Sequence, residues 1–185
     1  MISIPFQTIL VAIDESDVSN TALAAAIKLA KALSAKLMIV HVLNIHDVHN
    51  PQPSYPTAAA DELTIDESIR QRYEREWTKY MEYHESLLKQ KADEAIAAGV
   101  EADFIHPQGL VGSVLCEVAR TSNVSLIVVG SHQRRGIAEI MLGSTSNYVM
   151  HHAPCSVLVV HPGAKAGELL SQTTPTAANR NASVV

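Results

Sequence analysis

Five short apolar runs divide the chain. Four of them are nearly continuous in Ile, Val and Leu, which is typical of strands covered on both faces in a parallel sheet. The third run, VEADFIH, alternates polar and apolar residues and predicts an edge strand. The five predicted strands lie within residues 6–13, 35–43, 100–106, 125–130 and 155–161.

Segments with apolar residues at spacings of three and four separate the runs and predict four helices, at 17–34, 66–98, 111–122 and 144–152. Asp17 and Ser19 are candidate N-caps of the first helix and Ser144 of the last, while Gly99 would end the second. His84 is expected at the boundary of the core. Strands that alternate with helices predict an α/β fold, a three-layer doubly wound parallel sheet with helices on both faces.

Two segments do not follow this alternation. Residues 44–65 hold three prolines and are predicted to form a mobile loop. Residues 163–185 are small and polar, with little to bury, and are predicted to form a disordered tail. One domain is therefore expected over residues 1–162.

The composition of the chain argues against several classes of function. The chain of 185 residues is 47% hydrophobic, enough for a sizeable core, and its net charge of −5 argues against nucleic acid or an anionic membrane as a partner. Cys116 and Cys155 form no CxxC pair, which favours a reducing compartment. Without a signal-peptide pattern or an apolar run near the ~18 residues of a membrane span, a cytoplasmic protein is expected.

Candidate ligand residues follow from the strand ends, because open parallel sheets bind ligands beyond the carboxyl ends of their strands. The candidates are Ala12 and residues 14–16 at the end of the first strand, Val42 and Leu43 after the second, and Gly130, Ser131 and His132 after the fourth. Asp14 is the first of residues 14–16. Asp14 has a plainer reading as a turn residue.

The stretch Gly143-Ser144-Thr145 joins a glycine to a helix start, where free amides favour phosphate. A Ser-capped turn is the plainer alternative. The patterns GxxxxGK[ST], GxGxxG and GxSxG do not occur in the chain.

Residues 130–160, together with Asp14, resemble the universal stress protein family. The family pattern is a glycine, two residues, a glycine, nine residues, a glycine and then Ser or Thr, and here it reads Gly130, Gln133, Gly143 and Ser144. The final stretch LGSTSNYVMHHAPCSVLVV is also similar to the family's C-terminal run. The resemblance covers roughly residues 5–161.

This resemblance implies a sheet of order 3-2-1-4-5 and a homodimer formed through the last strand, residues 155–161. It implies that the ligand is ATP or AMP, bound with or without Mg²⁺. Asp14 would reach the ribose or base and Val42 would contact adenine. Gly130, Gly143, Ser144 and Thr145 would surround the ribose and phosphates.

Gln133 departs from the pattern, since it stands where the family has its second glycine. A side chain there would crowd the outer phosphates, unless Gly136 supplies the flexibility and Arg134 or Arg135 the phosphate contacts. A solvated loop is the alternative for the two arginines. His132 is a further candidate contact.

The expected function is therefore that of a regulatory stress protein that binds ATP or AMP. A nucleotide-free scaffold that acts through an unknown protein partner is one alternative, and an enzyme related to nucleotide α-hydrolases is another. Slow ATP hydrolysis is the most activity expected, and no residue stands out as its catalytic base. His46, Asp47 and His49 are the one metal-like cluster, in a Pro-rich segment without further ligands at the usual spacing, so no metal site is predicted.

Overall fold

The computed structural model describes residues 6–44, 51, 67–131 and 143–162. Nearly all of the predicted loop at 44–65 and the whole tail at 163–185 lie outside these residues, so both remain predictions. The elements, in chain order, are β1 (Thr8–Ala12), α1 (Asp17–Leu33), β2 (Lys36–Val40), α2 (Glu67–Ala97), β3 (Ala102–Ile105), α3 (Val111–Thr121), β4 (Leu126–Gly130), α4 (Ser144–His152) and β5 (Ser156–Val160).

The five strands form one parallel sheet of order β3-β2-β1-β4-β5, which confirms the predicted fold class and strand order. Ile9 on the central strand pairs with Leu37 of β2 and with Leu126 of β4. Ile9, Leu10 and Val11 are fully buried, as a run covered on both faces requires. VEADFIH forms the edge strand β3, as its alternation predicts.

Neighbouring strand residues point to opposite faces, so the sheet carries two cores. Ile9, Val11, Leu37 and Ile39 pack with alanines of α1 and with Leu88 of α2. Leu10, Val40, Ile127 and Val129 pack on the other face with Leu115 of α3 and Val149 of α4. Each fully buried Leu or Ile contributes roughly 1.5–3 kcal/mol of transfer free energy.

The helix starts differ from the predicted caps. Ser16 caps α1, with its Oγ accepting a hydrogen bond from the Ser19 amide at 3.2 Å, while Asp17 is the first helical residue. Ser19 is buried because its own hydroxyl accepts from the Asp14 amide. At α4 the cap is Gly143, and Ser144 is the first helical residue.

Two burial predictions are also wrong. β5 lies at the edge of the sheet, and its Ser156 and Leu158 face solvent, so this apolar run is covered on one face only. His84 is only 5% exposed and belongs to the interior rather than to its boundary. Gly99 ends the α2 region as predicted, with a positive φ of 84°.

Candidate functional site

A cavity of about 230 Å³ opens at the carboxyl edge of the sheet, between the ends of β1, β2 and β4. The sheet connections run in opposite directions from this point, which is where open α/β sheets bind ligands. Its lining residues come from three strand ends, the β1–α1 turn and the starts of α3 and α4. They are Ala12, Ile13, Asp14, Ser16, Ser19, Val40, His41, Val42, Asn44, Val111, Val129, Gly130 and Thr145.

The β1–α1 turn is held rigidly by three side chains. Oδ1 of Asp14 accepts hydrogen bonds from the Ser16 amide at 2.9 Å and from the Ser16 hydroxyl at 2.5 Å. The Ser19 hydroxyl accepts from the Asp14 amide at 2.8 Å. The exposed Asp14 carboxylate is thus fixed at the cavity edge, where it can accept hydrogen bonds from hydroxyl or amino groups of a ligand.

Part of the cavity wall is apolar. Val40, Val42 and Val129 line the cavity, and all three are buried. Val111, at the start of α3, also lines the cavity. Such a slot favours a flat, weakly polar group, since it offers dispersion contacts and few competing hydrogen bonds.

The start of α4 supplies backbone amides that have no partner within the helix. Asn147 donates its amide to the Gly143 carbonyl, which is the first turn of the helix, so the amides of residues 144–146 precede any intrahelical partner. The N-cap Gly143 has no side chain that could occupy them. Thr145 lines the cavity, so this helix start favours an anion at that end.

Lys and Arg are missing from the described part of this lining, where His41 is the one basic side chain. An anion here would therefore depend on the α4 amides and on groups beyond the described residues. Arg134, with His132 and Gln133, belongs to the stretch 132–142, which lies outside them. Their predicted contacts therefore stay predictions.

Gly130 has a packing role that is visible in the fold. A Cβ at this position would stand 2.8 Å from Cγ1 of Val18, so glycine lets the end of β4 approach α1 closely. The next residue, Ser131, is fully buried, and its hydroxyl lies 2.8 Å from Nδ1 of His161. Its amide donates to the Val160 carbonyl, which ties the start of the glycine segment to the end of β5.

Six of the predicted residues meet around the cavity: Ala12, Asp14, Ser16, Val42, Gly130 and Thr145. Gly143 and Ser144 sit next to Thr145 at the helix start but do not line the cavity. Sequence reasoning named Ser19 only as a candidate cap and missed its place in the cavity wall, although a hydroxyl five residues after Asp14 is a recognisable turn signal. It also missed Val111 and Val129, whose place depends on packing between distant segments.

The described residues offer little other chemistry. No group of three or more His, Cys, Asp or Glu among them could hold a metal ion, and the cluster at His46 and His49 lies outside them. Burial raises the pKa of the Cys116 and Cys155 thiols, which disfavours the reactive thiolate. No helix formed by the described residues has the length and apolarity that crossing a membrane demands.

The model of the universal stress protein family matches residues 5–161, most of the chain. The chain belongs to the universal stress protein family. Universal stress protein YxiE of Bacillus subtilis is 39% identical over 155 residues, which cover 84% of this chain and 99% of that protein. Universal stress protein Sll1388 of Synechocystis is 30% identical over 153 residues, which cover 82% of this chain and 96% of that protein.

Solved structures agree with the fold. A universal stress protein crystallised in complex with cAMP superposes with a TM-score of 0.57 at 26% identity, over 84% of this chain and 97% of that one. The Archaeoglobus fulgidus protein in complex with dAMP gives a TM-score of 0.53 at 19% identity, over 84% of this chain and 98% of that one. At 19% identity the second likeness concerns the fold alone.

Proposed function

We propose that this universal stress protein is a regulatory protein that binds an adenine nucleotide, AMP or ATP, in the cavity between β1, β2 and β4. One observation carries the proposal. The cavity combines a fixed carboxylate, an apolar slot and the start of a helix in a single concave site.

Each part of a nucleotide has a counterpart in this arrangement. The base would occupy the slot beside Val42, and the ribose hydroxyls would donate to the Asp14 carboxylate. The phosphate would accept from the amides at Ser144 and Thr145. The universal stress protein that binds cAMP supports the adenine nucleotide class, because it shares this fold at 26% identity.

We expect Gln133 to limit the number of phosphates that the site accepts. By the family resemblance, glutamine in place of the second glycine would add a side chain near the outer phosphates of ATP, whereas the phosphate of AMP would need only the α4 amides. We therefore expect AMP to bind at least as tightly as ATP.

Isothermal titration of the purified full chain tests the proposal. AMP and ATP are titrated with Mg²⁺ and with EDTA, and inorganic phosphate and GMP serve as controls for the anion and for the base. Saturable adenine nucleotide binding that exceeds both controls supports the proposal. If neither AMP nor ATP binds at millimolar concentration, the nucleotide function is wrong and a scaffold that acts through protein contacts replaces it.

We further propose a homodimer that pairs β5 with its two-fold mate. β5 is an edge strand, and an unpaired edge with an exposed Leu158 invites association. Val157 and Val159 pack against the core on the covered face, so Leu158 is the position that can test the dimer without disturbing the fold.

A further inference from the structure

A second feature lies beside the cavity, where α2 meets the ends of β2 and β3. His84 of α2 stacks on His41, with ring centroids 4.5 Å apart and an interplanar angle of 12°. Two rings of the same helix approach the His84 ring at steep angles, Tyr80 at 4.4 Å and Tyr83 at 5.2 Å. His84 is thus enclosed by other rings while being 5% exposed.

The hydrogen bonds fix part of the protonation pattern. Nδ1 of His41 lies 3.0 Å from the Ile13 carbonyl, which can only accept, so this nitrogen carries a proton. Nδ1 of His84 is buried and has no hydrogen-bond partner among the described residues, and the same holds for Nδ1 of His106. A charged His84 would therefore lose its hydration without gaining a partner at that nitrogen.

The charged and titratable groups around His84 shift its pKa in opposite directions. Burial lowers the pKa of His84 most, His41 and His106 lower it further, and Glu15 of the β1–α1 turn raises it. Asp14 and Glu15 share a neighbouring hollow of about 310 Å³ with His41, Tyr80 and His84. The net effect of these groups is a pKa below the ordinary value, so the packed state requires the neutral ring.

His84 also holds a special position along α2. The buried residues of this 31-residue helix are His84, Leu88, Ala92 and Ala95, so none of its residues 67–83 is buried. Trp77 stacks between Tyr73 and Tyr80, and Tyr80 in turn meets His84. His84 is therefore the first buried anchor of the helix, and the packing of its N-terminal half depends on that anchor.

We propose that the His41–His84 stack is an acid-sensitive contact, and that its protonation releases the N-terminal half of α2 from the hollow beside the cavity while the sheet stays folded. A second positive charge at 4.5 Å repels the first, and a single charge on His84 must regain water. Because His41 and Asp14 border both the cavity and the hollow, release also alters the wall of the proposed nucleotide site.

The direction of the pH effect follows from linkage. In the unfolded chain or the released helix, the pKa of His84 takes its ordinary value of about 6.5, and in the packed helix it is lower. Between these two pKa values the released state therefore binds more protons. The contact is therefore fully stabilising above about pH 6.5 and is lost as the pH falls through the lowered value.

Trp77 makes the test direct, because it is the only tryptophan of the chain. Its fluorescence is followed in the nucleotide-free full chain from pH 8 to pH 5 at constant ionic strength, with far-ultraviolet circular dichroism recorded in parallel. We expect a reversible fluorescence transition centred below about pH 6.5, with little loss of ellipticity. His84→Phe, which keeps a neutral ring in the stack, should abolish the transition.

His152→Phe is the matched control, since His152 also stacks on a ring, that of Tyr148 at 4.0 Å, but is exposed on α4. Its transition should equal that of the wild type. A nuclear magnetic resonance titration of the wild-type histidines gives a readout that needs no variant, and a His84 pKa at or above the ordinary value would overturn the proposal. So would a transition that persists in His84→Phe, or one that coincides with loss of the sheet signal. None of these outcomes depends on nucleotide binding.

Discussion

Replacing Asp14 by Asn and by Ala separates the structural role of this carboxylate from its proposed role in binding. In the fold, Oδ1 of Asp14 accepts from the amide and hydroxyl of Ser16, the residue that caps α1. Asparagine retains an oxygen at this position and alanine does not. The proposed contact with ribose or base, in contrast, draws on the charge of the carboxylate.

The expected losses of stability and of AMP affinity differ between Asp14→Ala and Asp14→Asn. Asp14→Ala loses two exposed hydrogen bonds and should lower the free energy of unfolding by roughly 1 kcal/mol, or a few degrees in Tm for a domain of this size. It should weaken AMP binding about tenfold, the equivalent of ~1.5 kcal/mol for a charged hydrogen bond. Asp14→Asn keeps a neutral acceptor, so we expect about threefold weaker binding with almost unchanged stability.

Electrostatic repulsion between Asp14 and the phosphate, taken alone, predicts that loss of the Asp14 charge strengthens AMP binding. Two like unit charges about 8 Å apart in water repel by about 0.5 kcal/mol, so removing the charge of Asp14 would tighten phosphate binding about twofold if no hydrogen bond were lost. Asp17→Asn removes the same charge three residues later, at a position that does not line the cavity, and should leave AMP affinity nearly unchanged.

The assay combines calorimetric titration with AMP and thermal unfolding of the wild type and the three variants. Binding by Asp14→Asn that equals or exceeds that of the wild type would refute a ligand hydrogen bond at this carboxylate. Equal weakening in Asp17→Asn would assign the effect to a structural change of the β1–α1 turn rather than to a ligand contact of Asp14.

Three further results are expected. Gln133→Gly should raise ATP affinity more than AMP affinity in paired titrations, because it removes a side chain near the outer phosphates, and an equal gain for both would count against that reason. Leu158→Glu should convert the proposed dimer to a monomer of about 20 kDa by light scattering with a retained far-ultraviolet spectrum, and a wild type that is already monomeric would contradict the dimer. Gly112→Ala should cost about 1–3 kcal/mol in denaturant unfolding, because its Cβ would stand 2.7 Å from Cδ1 and 3.0 Å from Cβ of Tyr148 on α4, whereas its exposed neighbour Ser113→Ala should cost little.

In the part of the chain that the structure describes, the sequence predicted every helix and strand to within a few residues. Periods of about two or four residues are local properties, and the continuous run SLIVVG forms the buried strand β4, as its composition predicts. The strand order came from the resemblance at residues 130–160 rather than from periodicity. The same resemblance drew attention to Asp14 and Gly143, which the strand ends and helix starts had also indicated.

The cap of α1 and the exposure of β5 were predicted wrongly from the sequence. Ser16, Asp17 and Ser19 are all acceptable caps by residue type, and the choice among them depends on where the turn after β1 ends. Here the bond from the Asp14 amide to Ser19 buries that hydroxyl and leaves Ser16 as the cap. The apolar run of β5 could not reveal its exposed Leu158, since an edge strand and a central strand use the same residue types.

The sequence by itself determined the elements, the two cores and the family, because each depends on residue type and spacing along the chain. Only the tertiary structure decided which distant residues meet. His41 and His84 are 43 positions apart, Ser131 and His161 are 30 apart, and no period connects either pair. Their contacts arise because parallel strands place their carboxyl ends at one edge of the sheet, and because a helix from another part of the chain packs there.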